Sequence, residues 1–205
     1  MADLAGSLQI QLQRSADGLQ VSIRSTRPLS ASQVFVGKGV EETAACLPAL
    51  FSVCATAQAA ACAGACEVAL RQTASPRTPL LRGLLVDAET VREHLWRVLL
   101  DWPGFLGSVP DGPTMARIMA AFGRLGAALS VGSELMRPGA ADPVPDLDTA
   151  EDALGEMSAL SADLLFGEPP ASWLEKIART GGVRGWARGT DSVAARLLRE
   201  LDACS

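Results

Sequence analysis

Residues 47–67, with the sequence LPALFSVCATAQAAACAGACE, constrain the fold more than any other part of the chain. Most of them are Ala, Gly or Cys, and the abundance of Ala, the best helix former, predicts a helix. Side chains this small let another backbone, or a small inorganic group, approach the helix closely. Three cysteines, Cys54, Cys62 and Cys66, lie in this run. Whether the close approach serves packing or ligand binding decides what the protein does.

Length and composition are those of a folded globular protein. The 205 residues suffice for one sizeable domain or two small ones, and 48% of them are hydrophobic and 20% charged. The net charge is −5, and the Arg residues are interleaved with Asp and Glu. Because phosphate binding needs clustered Lys and Arg, we expect no nucleic acid partner. We predict one domain over residues 1–205.

The N-terminus and the cysteine usage indicate a cytoplasmic protein. Residues 1–4 carry no basic segment and no long apolar run follows them, so we predict no secretory signal. The most apolar windows, 47–70 and 118–135, are interrupted by Pro, Gly, Ser or charge, so we expect no membrane span. Five cysteines are an odd number, and three share one predicted helix. This pattern favours reduced thiols over a disulfide framework.

The hydrophobic pattern predicts an α+β fold, with a small N-terminal antiparallel β-hairpin or sheet followed by a mostly helical body. Residues 7–13 and 19–25 alternate apolar and polar around a turn signal at 16–18. A short third strand is predicted at 33–36. The β-rich part covers residues 1–38 and the helical part residues 39–205. A segment rich in Pro and Asp, residues 137–146, has the composition of a linker.

Helical spacing of apolar residues continues after residue 39. Helices are predicted at 40–50, 54–71, 87–100, 114–129, 148–165, 170–179 and 191–203. The sequence SPRTP at 75–79 predicts a break, and Asp87 is predicted to cap the helix that follows. Residues 181–189 are rich in Gly and are predicted to form a turn.

No familiar catalytic motif is present in the sequence: there is no phosphate-binding loop, dinucleotide-binding glycine motif, zinc-protease helix or hydrolase nucleophile elbow. Cys62 and Cys66 are four residues apart and share one helix face. Their spacing is not that of a zinc knuckle, so we predict that both are small buried packing residues. Cys54 lies at a predicted helix start, where the helix dipole favours a thiolate.

The single histidine, His94, excludes a His-rich metal site. An imidazole in the middle of a helix is more often a hydrogen-bonded structural residue than a ligand, and we predict that role. His94 is also the one histidine that could act as base for a Cys54 nucleophile. Glu89 and Glu93 are predicted to lie on a solvated helix face.

Three segments together resemble the HupK/HoxV group of accessory proteins of [NiFe] hydrogenase maturation, which are themselves similar to the hydrogenase large subunit. They are residues 25–38 (STRPLSASQVFVGK), 47–58 (LPALFSVCATAQ) and 89–103 (ETVREHLWRVLLDWP). Residues 164–174 and 191–198 support the resemblance more weakly. The resemblance implies a fold like a reduced large subunit over roughly the whole chain.

The large subunit's N-terminal ligand motif, R-x-C-G-x-C-x-x-x-H, falls on residues 49–58 of this sequence. The second motif cysteine is kept as Cys54. Phe51 stands at the first cysteine, Ser52 at the glycine and Gln58 at the histidine. The motif arginine is replaced by Ala49.

The second large-subunit motif, D-P-C-x-x-C-x-x-H, is missing, and the chain ends LDACS with Cys204 alone. The resemblance implies that the second cysteine of the first motif bridges nickel and iron, whereas the first binds nickel only. A four-thiolate nickel site cannot be built from these residues. We therefore expect no nickel site and no hydrogenase activity.

The resemblance implies a non-catalytic scaffold or chaperone that transiently holds an Fe(CN)2(CO) fragment and delivers it to the large subunit. Cys54 would be the iron ligand, with Gln58 supporting it and Ser52 beside it. Cys204 is a possible second ligand, and His94 a further possible site residue. The implied partners are the Hyp maturation proteins and the [NiFe] hydrogenase large subunit.

Two alternatives remain open at the level of sequence. The site could be vestigial, and the protein could then be a metal-free adaptor that mimics the large subunit's surface. The other alternative is a thiol-dependent enzyme, which would need a base close to Cys54.

Overall fold

The computed structural model describes residues 6–16, 18–27, 30–132, 134–179 and 182–203. The chain divides into two compact units, Met1–Gly39 and Val40–Ser205. The single domain expected from the sequence stays a prediction. The predicted α+β class is confirmed, because an antiparallel hairpin precedes a mostly helical body.

A β-hairpin is the main element of the N-terminal unit. Strands β1 (Leu8–Ser15) and β2 (Gly18–Ser25) pair antiparallel, with Ile10 opposite Ile23 and Leu12 opposite Val21. Because side chains alternate between the faces of a strand, this register collects the apolar side chains on one face. The opposite face carries Gln, Ser and Arg. The hairpin predicted from alternation is confirmed.

The predicted third strand at 33–36 is wrong. Residues Ala31–Phe35 form a short 3-10 helix instead. The amides of Gln33 and Val36 donate to the carbonyls three residues earlier, at 2.9 and 3.1 Å. These local bonds satisfy the backbone without a partner strand, so a short apolar run was not enough to specify a strand.

The second unit begins with the helix pair that contains the small-residue run. Helix α1 (Val40–Leu50) is followed by a 3-10 turn (Ser52–Cys54) and by α2 (Ala55–Ala69). Among the described residues, no single helix has both the length and the apolar composition to cross a bilayer. Helix α1 and Ser52–Ala69 reach that length only as a pair, across a bend of 106°.

Helix α3 spans Arg77–Trp96 and continues through a π-helical turn (Arg97–Asp101) into the short α4 (Trp102–Phe105). Asp87, predicted to start this helix, lies in its middle, so that prediction is wrong. The predicted break contains the true start, since Pro79 falls in the first turn. There the missing N–H of a proline costs nothing, because the first four amides of a helix lack partners inside it.

Helix α5 (Gly112–Leu129) starts two residues before the predicted position, with the Asp111 side chain accepting from the Thr114 amide at 3.0 Å. Helix α6 (Leu147–Ser161) ends in a second π-helical turn (Ala162–Phe166). Three helices follow it: α7 (Pro170–Arg179), α8 (Gly182–Gly189) and α9 (Val193–Ala203).

The turn predicted at 181–189 is also wrong, because Gly182–Gly189 is helix α8. Trp186 is buried there, and its indole N–H donates to the carbonyl of Phe166 at 3.0 Å. Its ring meets that of Trp173 edge to face, with centroids 5.5 Å apart. Tertiary packing of this kind overrides the weak helix propensity of the glycines.

The core of the second unit lies between α3, α5 and α6. Leu85, Leu125, Leu129 and Met157 are among its buried residues. The segment with linker-like composition, residues 137–146, has no regular secondary structure but is held against this core. Pro143 is fully buried, and its carbonyl accepts from Arg77 at 2.9 Å.

A buried ion pair ties α2 to α3. The guanidinium of Arg82 donates twice to the Glu67 carboxylate, at 2.9 and 2.8 Å, and again to the carbonyls of Leu135 and Arg137. The side chains of Arg82 and Glu67 are only 6% and 8% exposed. The hydrogen bonds from Arg82 hold the pKa of Glu67 below its usual value.

Arg82→Ala should lower the free energy of unfolding by about 3–5 kcal/mol, because it leaves a buried carboxylate without its partner. Denaturant unfolding at neutral pH measures the loss. Arg117→Ala, which removes an exposed partner of Glu156, is the matched control and should cost far less. Equal losses in the two variants would contradict a special role for the buried pair.

The same pair predicts a pH dependence. The pKa of Glu67 is lower in the folded chain than in the unfolded one. Its stabilising contribution is therefore complete at neutral pH and is lost as the pH falls through the folded-state value. The stability difference between the wild type and Glu67→Gln should shrink over this acidic range. A difference that stays constant down to the acid transition would overturn the assignment.

Candidate functional site at the start of α2

Cys54 lies where the 3-10 turn passes into α2 and is the N-cap residue of that helix. An N-cap side chain usually accepts a hydrogen bond from one of the first amides of its helix. Cys54 makes no such bond, and its side chain is only partly buried. The Cys54 sulfur thus lies at the start of α2 but makes no capping hydrogen bond to the helix amides.

Gln58 stands one turn further along α2, on the face that carries Cys54. Its amide nitrogen Nε2 lies 3.9 Å from the Cys54 sulfur, at the long limit of a hydrogen bond to sulfur. The four-residue spacing in the sequence predicted that Gln58 and Cys54 lie on the same helix face. Any group bound at the sulfur would lie within reach of the Gln58 amide.

Ser52, the third predicted site residue, is exposed and lines a groove of about 300 Å³. Val53, Arg92, Glu93, Trp96, Arg97 and Met119 line the rest of it. Cys54 and Gln58 are not among its described lining residues. Ser52 is therefore close to Cys54 in sequence but opens onto a different surface.

Glu89 on α3 performs the capping of α2 that Cys54 does not. Its two carboxylate oxygens accept from the backbone amides of Thr56, at 2.8 Å, and Ala57, at 2.9 Å. Glu89 is 3% exposed, so the prediction of a solvated position is wrong. A carboxylate is the group that a helix N-terminus binds best. The amides of Thr56 and Ala57 are therefore already bonded to Glu89.

Arg92, one turn after Glu89, balances this buried charge. Its guanidinium lies 3.7 Å from Glu89 and 2.6 Å from Glu93, and it packs over the ring of Phe122 at 4.5 Å. It also reaches the carbonyl of Val53, at 3.4 Å. The backbone is thus tied to α3 on both sides of Cys54.

His94 is exposed, and its Nδ1 lies 2.7 Å from the carbonyl of Thr90. This is the structural hydrogen bond that the sequence predicted for it. His94 borders two apolar grooves together with Leu165 and Phe166. None of its described contacts is with Cys54, so nothing in the described geometry favours a Cys–His nucleophile pair. Cys204, the other possible ligand, lies outside the described residues.

Cys62 and Cys66 are partly exposed, whereas the sequence predicted that both are buried. Burial raises the pKa of the Cys62 thiol, and the neighbouring Cys66 raises it further. Among the described residues, no three His, Cys, Asp or Glu side chains are grouped as a multi-ligand metal centre requires. A ligand at Cys54 would therefore not be held by three or more such side chains from the described part of the chain.

Comparison with known proteins gives three relatives, all of them called hydrogenase expression/formation proteins. HupV of Azotobacter chroococcum is 35% identical over 83% of this chain, and HupK of Azotobacter vinelandii is 32% identical over the same share. HoxV of Cupriavidus necator is 38% identical over 43% of this chain. The chain belongs to the HupK/HoxV family.

Membership of the HupK/HoxV family agrees with the resemblance found in the sequence. The matched regions, however, cover only part of each relative. It spans about half the length of its curated relatives HupV and HupK, 48% in each case, and 22% of HoxV. No family model matches the chain. No solved structure matches it either.

Glu89 is the site residue that sequence reasoning missed, and its capping role can be tested. Glu89→Ala should lower the free energy of unfolding by about 1.5–3 kcal/mol, the range for hydrogen bonds to a charged group. The amides of Thr56 and Ala57 should lose protection from hydrogen exchange. Glu151→Ala, at an exposed position on α6, is the matched control. Unchanged protection in Glu89→Ala would show that α2 does not depend on this cap.

Proposed function

We propose that the chain acts in hydrogenase maturation as a non-catalytic scaffold, which holds an Fe(CN)2(CO) fragment and helps deliver it to the large subunit. Two observations support this function. The relatives in the HupK/HoxV family are called hydrogenase expression/formation proteins. The one cysteine retained from the large-subunit motif has a sulfur that makes no capping bond and is partly exposed.

Cys54 is the proposed iron ligand. Thiolate is a soft ligand that suits low-valent iron, and iron that already carries cyanide and carbonyl needs few ligands from a protein. The described residues offer no cluster that would close a complete metal cage. A single thiolate at a partly exposed position binds its cargo loosely, and a carrier must be able to release its cargo.

Gln58 is the proposed supporting residue. Its amide, 3.9 Å from the Cys54 sulfur, can donate a hydrogen bond to the sulfur or to a cyanide nitrogen. Such supporting contacts orient a ligand and tune the bound metal. Ser52, predicted from the sequence as a further site residue, opens onto a different groove and is left out of the proposed site. Phe51, at the position of the nickel-only cysteine, offers no metal ligand, so the proposed site takes iron without nickel.

The proposed partners follow from the cargo. The Hyp maturation proteins would supply the iron fragment, and the hydrogenase large subunit would receive it. Cys204, near the C-terminus, would be available as a second thiolate during exchange. The proposed site has no assigned base and no substrate-activating group, which is why we propose a scaffold and not an enzyme.

Infrared spectroscopy tests the cargo. The chain, made anaerobically together with the Hyp proteins, should show cyanide and carbonyl stretching bands. Cys54→Ala should lose them because the iron ligand is gone, and Gln58→Leu should shift the cyanide bands. Cys46→Ala, which removes an exposed thiol from α1, is the control and should keep the bands. Bands that persist in Cys54→Ala would refute the ligand assignment.

A metal-free adaptor is the second candidate function, and the hairpin favours it. One face of the hairpin presents six apolar side chains, each more than half exposed: Leu8, Ile10, Leu12, Leu19, Val21 and Ile23. Apolar patches of this kind often mark protein-binding surfaces. An adaptor would use this face and would not need the Cys54 thiol.

Complementation separates the two functions. The variants are expressed in cells that lack the native gene, and hydrogenase activity is measured. If the protein is an adaptor, Cys54→Ala should restore activity fully and Ile10→Lys should not. If it is a scaffold, Cys54→Ala should fail to restore activity. Gln11→Lys, on the polar face of the same strand, is the matched control for Ile10→Lys. Equal loss in the two hairpin variants would argue against a specific apolar surface.

A further inference from the structure

Cys62 and Cys66 form a pair that the proposed function does not use. They lie four residues apart in the uninterrupted helix α2, and both are partly exposed. Burial raises the pKa of Cys62, and the neighbouring Cys66 raises it further. Cys54 is eight residues away on the same helix, about 12 Å at the α-helical rise. The pair is therefore separate from the Cys54 site.

The spacing of the pair suits a bridging ion better than a disulfide. Residues four apart on a helix have Cβ atoms about 5–6 Å apart. A disulfide requires Cβ atoms about 3.5–4.5 Å apart, so closing one would distort α2. An ion midway between two sulfurs, at about 2.3 Å from each, needs sulfurs about 4.6 Å apart. Two side chains at this spacing reach that separation by rotating about their Cα–Cβ bonds.

The number of ligands decides which ion fits. Among the described residues, no third His, Cys, Asp or Glu joins the two thiols. Zinc takes four ligands in structural sites, and hard ions such as Mg²⁺ and Ca²⁺ take oxygen. A soft monovalent ion with linear two-coordinate geometry needs no ligands beyond the two thiolates. Cu(I) is the soft ion that thiolates select.

We propose that Cys62 and Cys66 form a two-thiolate binding site for Cu(I). Each thiol gives up its proton as its sulfur binds, so one Cu(I) and two thiols yield an anionic bis-thiolate and two released protons. Because binding releases these protons, apparent affinity should increase with pH.

The test is anaerobic titration of the reduced full-length chain with Cu(I), in competition with the chelator bicinchoninate. We expect one tightly bound Cu(I) per chain and an X-ray absorption spectrum with two sulfur neighbours. Cys62→Ser and Cys66→Ser should each lower the affinity at least about 100-fold, the upper range for losing only a supporting contact at a metal site. Wild-type affinity in either variant would overturn the proposal.

Two sets of controls show that the pair itself is responsible. Cys46→Ser should keep wild-type affinity, and a loss in this variant would replace the pair with another ligand set. Combining Cys66→Ser with Gly64→Cys keeps the number of thiols but places one only two residues from Cys62, off the shared face, at a position with open space for a side chain. This double variant should stay as weak as Cys66→Ser. Recovery of tight binding would show that the helical spacing is irrelevant.

Discussion

The rest of the site depends on the bond between the Glu89 carboxylate and the first amides of α2. A helix start leaves backbone donors without partners, and here a side chain of α3 supplies both acceptor oxygens. Arg92 balances the charge and holds the carbonyl just before Cys54. The position of the Cys54 sulfur is thus set by α3, although no atom of α3 bonds to that sulfur in the described structure.

The features that sequence predicted well are those with local causes. Alternation of apolar and polar residues specified the hairpin, and the helical pattern located the start of α5 to within two residues. The contact between Cys54 and Gln58 follows from a spacing of four on one helix. Each of these depends on residues within a few positions of one another, so a single sequence contains the whole cause.

The features that sequence missed have distant causes. Glu89 contacts amides 33 and 32 residues earlier in the chain, and no local pattern distinguishes it from a solvated glutamate. Helix α8 forms among its glycines because Trp186 packs against Trp173 and bonds to Phe166. The spacing of three residues between Glu89 and Arg92 indicates an ion pair on one helix face, but it does not indicate that the Glu89 carboxylate caps α2.

Glu89, and not Cys54, caps the start of α2, and this affects how the Cys54 thiol can bind and release a ligand. If the thiol capped the helix, binding a metal fragment would break the cap and cost folding free energy, typically about 1 kcal/mol. With Glu89 as the cap, loading and unloading a ligand at the sulfur leaves the backbone bonds of α2 intact. Loss of the Cys54 side chain should then leave the fold nearly unchanged, so a functional defect in such a variant reports on the sulfur itself. A helix start capped from a neighbouring helix is thus a suitable place for a thiol that must exchange its ligand.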